Sequence, residues 1–299
     1  MKLKFYGSKL NINANIFNQD LNNIKKNLIP ERIKSFSKYD GKSRLYRLGK
    51  SDDKLLNPVR WTLANVTEIE DNVLSGDVVK VSKTTFDILQ GVKTEPEEVD
   101  RALKIHFYYF VDDEVVIMQS NQYIHYDIGL SVLKTILSRD VNIGELDFEV
   151  YMRYTQFERE LFEDTIRKIT LNYVTPNDPR TLNSISDILL NNNAPKGKFE
   201  LENEKDGIRK YKDEEDENKG KEKKEPTDLL SDFLVIVRSG FGSIKARVGA
   251  RNHTRTISSK EYAASAKIKE DNVNDLTSVN SLKATIVSQM GDDLNGKKK

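Results

Sequence analysis

The most regular pattern of apolar and polar positions runs from residue 100 to 192. Residues 103–110 (LKIHFYYF) and 114–119 (EVVIMQ) are β-rich runs separated by Val111-Asp112-Asp113, a spacing that predicts a hairpin. Asp127 precedes a helical run that places Ile128, Val132, Leu133, Ile136 and Leu137 on one face. Phe148, Val150 and Met152 then alternate with Glu149, Tyr151 and Arg153, as in a strand. Thr155-Gln156-Phe157-Glu158 fits a capping box, in which threonine and glutamate satisfy each other's free amides; Phe157, Leu161, Phe162, Thr165 and Ile166 follow at helical spacing. Ile169, Leu171 and Tyr173 alternate again, Pro176 and Pro179 interrupt, and a short helix is predicted over 184–191. This ββαβαβ-α order predicts an α+β fold, a mostly antiparallel sheet with helices packed on one face.

The first hundred residues are less regular. Strands are predicted over 2–6, 9–14, 60–68 and 78–81, and a short amphipathic helix over 20–28. Residues 35–57 are polar and rich in turn formers, which predicts a long surface loop. Near the C-terminus, Thr227 can cap a helix carrying Leu229, Leu230, Phe233, Leu234 and Val237, with Gly240 as its stop. Ile244, Ala246 and Val248 alternate with Lys245, Arg247 and Gly249; a further strand is predicted over 255–258, and a last helix opens at Asp275.

Composition adds one feature the periodicity does not show. Between Lys196 and Glu225, 21 of 30 residues are charged, ten basic and eleven acidic, and only Phe199, Leu201, Ile208 and Tyr211 could bury much surface. So little burial does not offset roughly 1–2 kcal/mol of backbone entropy per residue. The reading is therefore an α+β core over 1–195, a highly charged flexible insertion or linker over 196–226 with 199–201 as a short strand, and a helix-strand-strand-helix segment over 227–299. The whole chain is nearly neutral, with 48 basic and 47 acidic residues, and its mean hydropathy is −0.61. It has no cysteine, which excludes disulfides, thiolate metal sites and cysteine nucleophiles. The first 15 residues lack the apolar core of a secretory signal, and no window approaches the roughly 18 apolar residues of a membrane helix. A cytoplasmic protein without a membrane partner is expected.

Candidate chemistry is sparse. Arg101 and His106 have the spacing that resembles the ribonuclease motif of helical HEPN domains, but that motif needs a helix and His106 lies in a β-rich run. His125 stands two residues before Asp127, half of a general base, although Asp127 also reads as a helix cap. His253 has no second copy of its surroundings with which to pair. Glu145, Asp147 and Glu149 alternate, so three carboxylates could line one strand face at about 6.6 Å intervals. They lack the neighbouring lysine of a restriction-type nuclease. Gly240-Phe241-Gly242 is not a phosphate loop. Asp112-Asp113-Glu114 reads as a solvated turn. No cofactor is expected, and His125, Asp147 and Glu149 are the candidates if the chain is a nuclease.

Charge distribution carries more. Residues 31–60 hold nine bases against four acids, among them Arg44, Arg47, Lys50, Lys54 and Arg60, with Phe36, Tyr39, Tyr46 and Trp61 interleaved. Aromatic faces among basic groups suit single-stranded nucleic acid. Residues 233–260 hold Arg238, Lys245, Arg247, Arg251, Arg255 and Lys260 and no acid. If the two blocks meet in space they form one cationic surface for a polynucleotide.

Two stretches bear a resemblance. The hairpin, helix and strand over 103–155, then Phe157-Glu158-Arg159-Glu160-Leu161-Phe162 and the run from Lys168 to Asp178, are similar to a bacterial family of unknown function. So is the stretch from Gly240 to Gly249 with Arg255-Thr256-Ile257-Ser258-Ser259-Lys260-Glu261. Its members look like cytoplasmic proteins that travel with mobile elements and phage-defence loci; the resemblance brings no catalytic residues. It implies a nucleic-acid-binding accessory or sensor protein of a defence system, with a nuclease, or a subunit binding a protein encoded nearby, as the alternatives.

Overall fold

The structure is a computed structural model of the 299-residue chain and describes residues 1–13, 20–37, 45–48, 59–90, 93–174, 196–211 and 226–290. The predicted helix over 184–191 lies outside the described residues. The chain divides into two compact units, each assembled from separate segments: Met1–Tyr6, Ala14–Phe148 and Lys267–Asn280 in the first, Gly7–Asn13, Glu149–Ala266 and Ser281–Lys299 in the second. The core boundary expected at residue 195 falls inside the second unit. The fold is α+β with antiparallel sheets.

In the first unit the central strands are β2 (Arg60–Glu70), β3 (Val73–Gln90), β4 (Lys93–Phe110) and β5 (Val115–Ser120). With β1 (Lys2–Asn13), β6 (Glu145–Val150) and β11 (Ser265–Lys269) they make a seven-stranded sheet ordered β11-β1-β5-β4-β3-β2, with β6 paired to β1. β3 and β4 pair along their whole lengths, from Val73 opposite Phe110 to Gln90 opposite Lys93. This strand pair is far longer than the alternation predicts. The run Val73–Val79 is buried on both faces, so its apolar residues do not alternate with polar ones. Helical chain precedes β2, as α1 (Leu21–Asn23), a π-helical turn Ile24–Leu28 and α2 (Ile29–Lys34). Helix α3 (Tyr126–Leu137) lies close to the sheet at Gly129, where a Cβ would come within 2.7 Å of Ile105 and Met118 side-chain atoms. Its N-cap is His125 rather than Asp127, whose carboxylate instead accepts from the Ile128 amide inside the first turn.

In the second unit α4 (Tyr154–Glu163) and α5 (Asp228–Arg238) pack on one side of a four-stranded sheet ordered β10-β9-β7-β8. Its strands are β7 (Ile166–Val174), β8 (Lys196–Glu202), β9 (Gly242–Ala250) and β10 (His253–Ser258). Phe157, Leu161, Phe233, Leu234 and Val237 from the helices meet Ile169, Leu171, Tyr173, Ile244, Ala246 and Val248 from the strands. The last helix, α6 (Leu276–Ser288), begins where Asp275 accepts from the Ser278 amide, as its sequence predicts. The expected ββαβαβ succession does not form one unit: β4, β5 and β6 belong to the first sheet and β7 to the second. Nor does the capping box form. Arg153 is the N-cap of α4, two residues ahead of Thr155, and its amide donates to the Tyr262 carbonyl. At the β9–β10 turn Gly249 has φ +123°, and a Cβ there would lie 2.4 Å from the His253 carbonyl oxygen, so only glycine fits.

The charged segment after residue 195 is not all solvated. Lys196–Glu202 forms β8, paired to β7 from Val174–Lys196 to Lys168–Glu202. Beyond it the Ile208 amide donates to the Ile166 carbonyl, and Lys210 Nζ donates to the carbonyls of Phe162 and Asp164, closing the C-terminal end of α4. Tyr211 stacks on Phe162 at 5.4 Å. Two residues per period is all that Phe199 and Leu201 need to cover the core edge while their charged neighbours face water.

Candidate functional site

The outward face of the second unit's sheet is built by strand alternation. Residues directly opposite in antiparallel strands share a face, and β7 sets Lys168 opposite Arg247 and Glu202, Thr170 opposite Lys245 and Glu200, and Asn172 opposite Lys198. On β9 the partners continue to β10, Arg247 to Thr256 and Lys245 to Ser258. Because Ile169, Leu171, Ile244 and Ala246 take the helix side, the opposite side is a polar surface of lysine, arginine, threonine and serine with acids along β8.

Lys168 and Arg247 sit on neighbouring strands about 5 Å apart, where like charges repel. The acids of β8 and the following turn lie among them. Lys168 Nζ is 2.6 Å from Glu200 and 2.9 Å from Glu202; Lys198 is 2.9 Å from Glu200; Arg247 is 3.3 Å from Glu202 and also pairs with Glu204. Lys168 and Lys198 hold the Glu200 carboxyl down to about 2. Lys245 is exposed and has no ion pair among the described residues.

The basic residues singled out by the sequence fall in both units. Arg44, Lys50 and Lys54 lie outside the described residues. Arg47 is half-buried and Arg60 is exposed at the start of β2, both in the first unit. Trp61 does not offer a stacking face: it is 5% exposed, its amide and carbonyl bond the carbonyl and amide of Tyr46 at 2.7 Å, and Tyr46 is itself buried. The alternation of Trp61 with Leu63 on the buried side of β2 explains this. Arg238, Lys245, Arg247, Arg251 and Arg255 belong to the second unit but not to one surface. Lys245 and Arg247 share the outward face and Arg251 is exposed in the β9–β10 turn. Arg238 lies over the Tyr154 ring at 4.9 Å, and Arg255 is drawn toward α4 by Glu160 at 2.9 Å and Asp164 at 3.7 Å. Lys168 and Lys198, which complete the face, stand outside the basic blocks; the alternation of Lys168 with Ile169 and Leu171, and of Lys198 with Phe199 and Leu201, was the signal that could have found them.

The acidic candidates do not assemble. Asp147 is paired with Lys134 of α3, Glu145 is exposed, and among the described residues no three acidic or histidine side chains lie close enough to hold a metal ion. His125 Nδ1 is 2.7 Å from Asp127 Oδ1, and the ring is exposed. His106, on β4 as its residues suggest, is not on the helix that the HEPN-like spacing requires.

A second polar cluster was not visible in the sequence. On the first unit's sheet, buried Asp77 of β3 accepts from His106 Nδ1 at 2.9 Å, Lys104 Nζ at 2.8 Å and Asn65 Nδ2 at 2.7 Å. Burial raises its pKa, but these three donors outweigh burial and hold the carboxyl down to about 2. With Nδ1 carrying the proton toward the carboxylate, His106 Nε2 accepts from the Ser75 hydroxyl at 3.2 Å. This is the Ser–His–Asp connectivity of hydrolytic triads. Ser75, however, is 2% exposed near the start of β3, out of reach of any substrate carbonyl. The cluster instead ties β2, β3 and β4 together, and Asn65 keeps its positive φ of 51° at the β2 bulge through its bond to Asp77.

Among the described residues no helix is long and apolar enough to cross a membrane. Comparison with known proteins found no family model and no curated protein that matches the chain.

Proposed function

We propose that the protein is a nucleic-acid-binding accessory or sensor protein and that the outward face of its four-stranded sheet is the contact surface. The observation that carries this reading is the convergence of Lys198, Lys168, Lys245 and Arg247 from three strands onto adjacent register positions. A sheet face with hydroxyls between the cations can follow a phosphate backbone without reading bases. The carboxylates of Glu200, Glu202 and Glu204 mark where anionic oxygens are held, and surface ion pairs of this kind contribute only about 0–1 kcal/mol each, so phosphate can displace them. On the resemblance alone, we place the protein in the cytoplasm with other proteins that accompany mobile elements and phage defence.

Binding of a labelled single strand, followed against salt, tests this. Four phosphate contacts give a slope of log K on log salt near −3, at about −0.7 per contact. The double variant Lys245→Glu/Arg247→Glu should bind about 100-fold more weakly at low salt with a shallower slope, while Glu202→Gln/Glu204→Gln should bind several-fold more tightly. Wild-type binding that is absent at about 50 mM salt, or that ignores both variants, rejects the reading.

A further inference from the structure

The aromatic faces that the sequence placed beside Arg44–Arg60 are buried at Tyr46 and Trp61; elsewhere on the first unit two exposed rings, Tyr123 and His125, stand beside half-buried Tyr6 and buried Tyr126. Tyr6 of β1 stacks on Tyr126 at the start of α3, with centroids 4.0 Å apart and planes 21° from parallel. His125 packs against the same Tyr126 ring at 4.4 Å. Lys4, on the same side of β1 two residues before Tyr6, holds its Nζ 4.6 Å over the Tyr6 centroid. Burial and the nearby Asp127 push the Tyr126 hydroxyl up to about 12, so that ring stays neutral. The outer members of the group remain accessible: the His125 side chain is 54% exposed, and neighbouring Tyr123 is 54% exposed. His125 Nδ1 is taken by Asp127, which fixes the ring, while its Nε2 has no hydrogen bond among the described residues.

An exposed imidazole fixed against a buried ring, with a second stacked ring and a cation nearby and one ring nitrogen unengaged, has much to offer a flat π-system. We infer that His125, backed by buried Tyr126 and its stacked partner Tyr6, with Lys4 and Tyr123 at the rim, forms a stacking platform for an unpaired nucleobase, His125 presenting the open face and Lys4 taking an adjacent phosphate. The inference rests on the nucleic-acid reading above, and it adds what the sheet face lacks, a preference for single strands whose bases are free to stack. A duplex hides its base faces and gains nothing from the platform.

The test uses the full chain and three labelled oligonucleotides of about 20 nucleotides, long enough to cover several stacking positions: a thymidine strand, a duplex, and an abasic strand with the same phosphates and no bases. Fluorescence anisotropy is read at about 100 mM salt. The wild-type chain should bind the thymidine strand about tenfold more tightly than the abasic one. His125→Ala should lose about that factor on the thymidine strand and nothing on the abasic strand, and His125→Phe should restore it. Tyr123→Ala is a second, surface-located variant whose folding is checked, like that of the others, by circular dichroism. Equal wild-type affinity for the thymidine and abasic strands, or an equal loss on both in His125→Ala, overturns the platform and leaves the sheet-face reading standing. Failure of the wild-type chain to bind any of the three overturns both.

Discussion

Replacing Asp77 by alanine is expected to lower the stability of the protein by about 3 kcal/mol, measured by urea unfolding, because it strips a buried anion from three donors at once. Lys104 reaches solvent and can rehydrate, but His106 and Asn65 are left with unsatisfied polar atoms between strands, and Asn65 loses the bond that sustains its left-handed backbone. Acid should act on the same group. The Asp77 carboxyl is held at about 2 against an ordinary value of 3.8, so its contribution is fully present above about pH 4 and is lost as pH falls toward 2. That depression corresponds to about 2 kcal/mol. An Asp77→Asn variant should be less stable at neutral pH and should lose this component of the acid dependence. A variant as stable as wild type at pH 7 would show that the cluster contributes nothing to holding the three strands.

The second large effect is expected at Arg167, again near 3 kcal/mol by urea unfolding of Arg167→Met. Arg167 is 8% exposed at a bulge in β7, where the pairing to β9 skips one residue between Ile166 and Lys168. Its Nε donates to the Gly249 carbonyl at 3.2 Å, and one terminal nitrogen donates to the carbonyls of Glu204 and Lys205 at 3.1 and 2.9 Å. The guanidinium therefore pins the turn after β8 to the glycine end of β9. Methionine fills the volume but leaves three carbonyls without this donor, and lysine, with a single nitrogen, cannot span both segments. Arg167→Lys should recover less than half of the loss. Since the same turn carries Glu204, loosening it should also free Arg247 and raise affinity for a single strand even as stability drops.

How much of this was legible in the sequence follows from where burial leaves a period. α5, β7 and β9 read correctly because one face of each is wet and the other dry, so Ile169-Leu171-Tyr173 and Ile244-Ala246-Val248 alternate cleanly with polar residues. The long β3–β4 pair did not, since Val73–Val79 is buried on both sides and its one carboxylate, Asp77, is compensated by donors 12 to 29 positions away. β8 was legible only as a short strand at 199–201: counting charges over 30 residues hides how far the alternation around Phe199 and Leu201 runs. The site was half legible. Lys245 and Arg247 stood out because no acid lies near them in sequence, but the strand pairing brings Glu202 and Glu204 to Arg247 from more than 40 residues away, and the same pairing supplies Lys168 and Lys198. Trp61 misled because an aromatic among bases looks the same whether its ring faces water or the core; only the alternation with Leu63 distinguishes the two.

The most direct test of the sheet face is a lysine footprint, with each amine's acetylation rate read by mass spectrometry on the free chain and on the chain saturated with a single-stranded oligonucleotide. The account requires Lys245 and Lys198 to become several-fold less reactive in the complex, while Lys267 and Lys269 of β11, in a different sheet, keep their rates. Saturation that leaves Lys245 and Lys198 as reactive as in the free chain would contradict it.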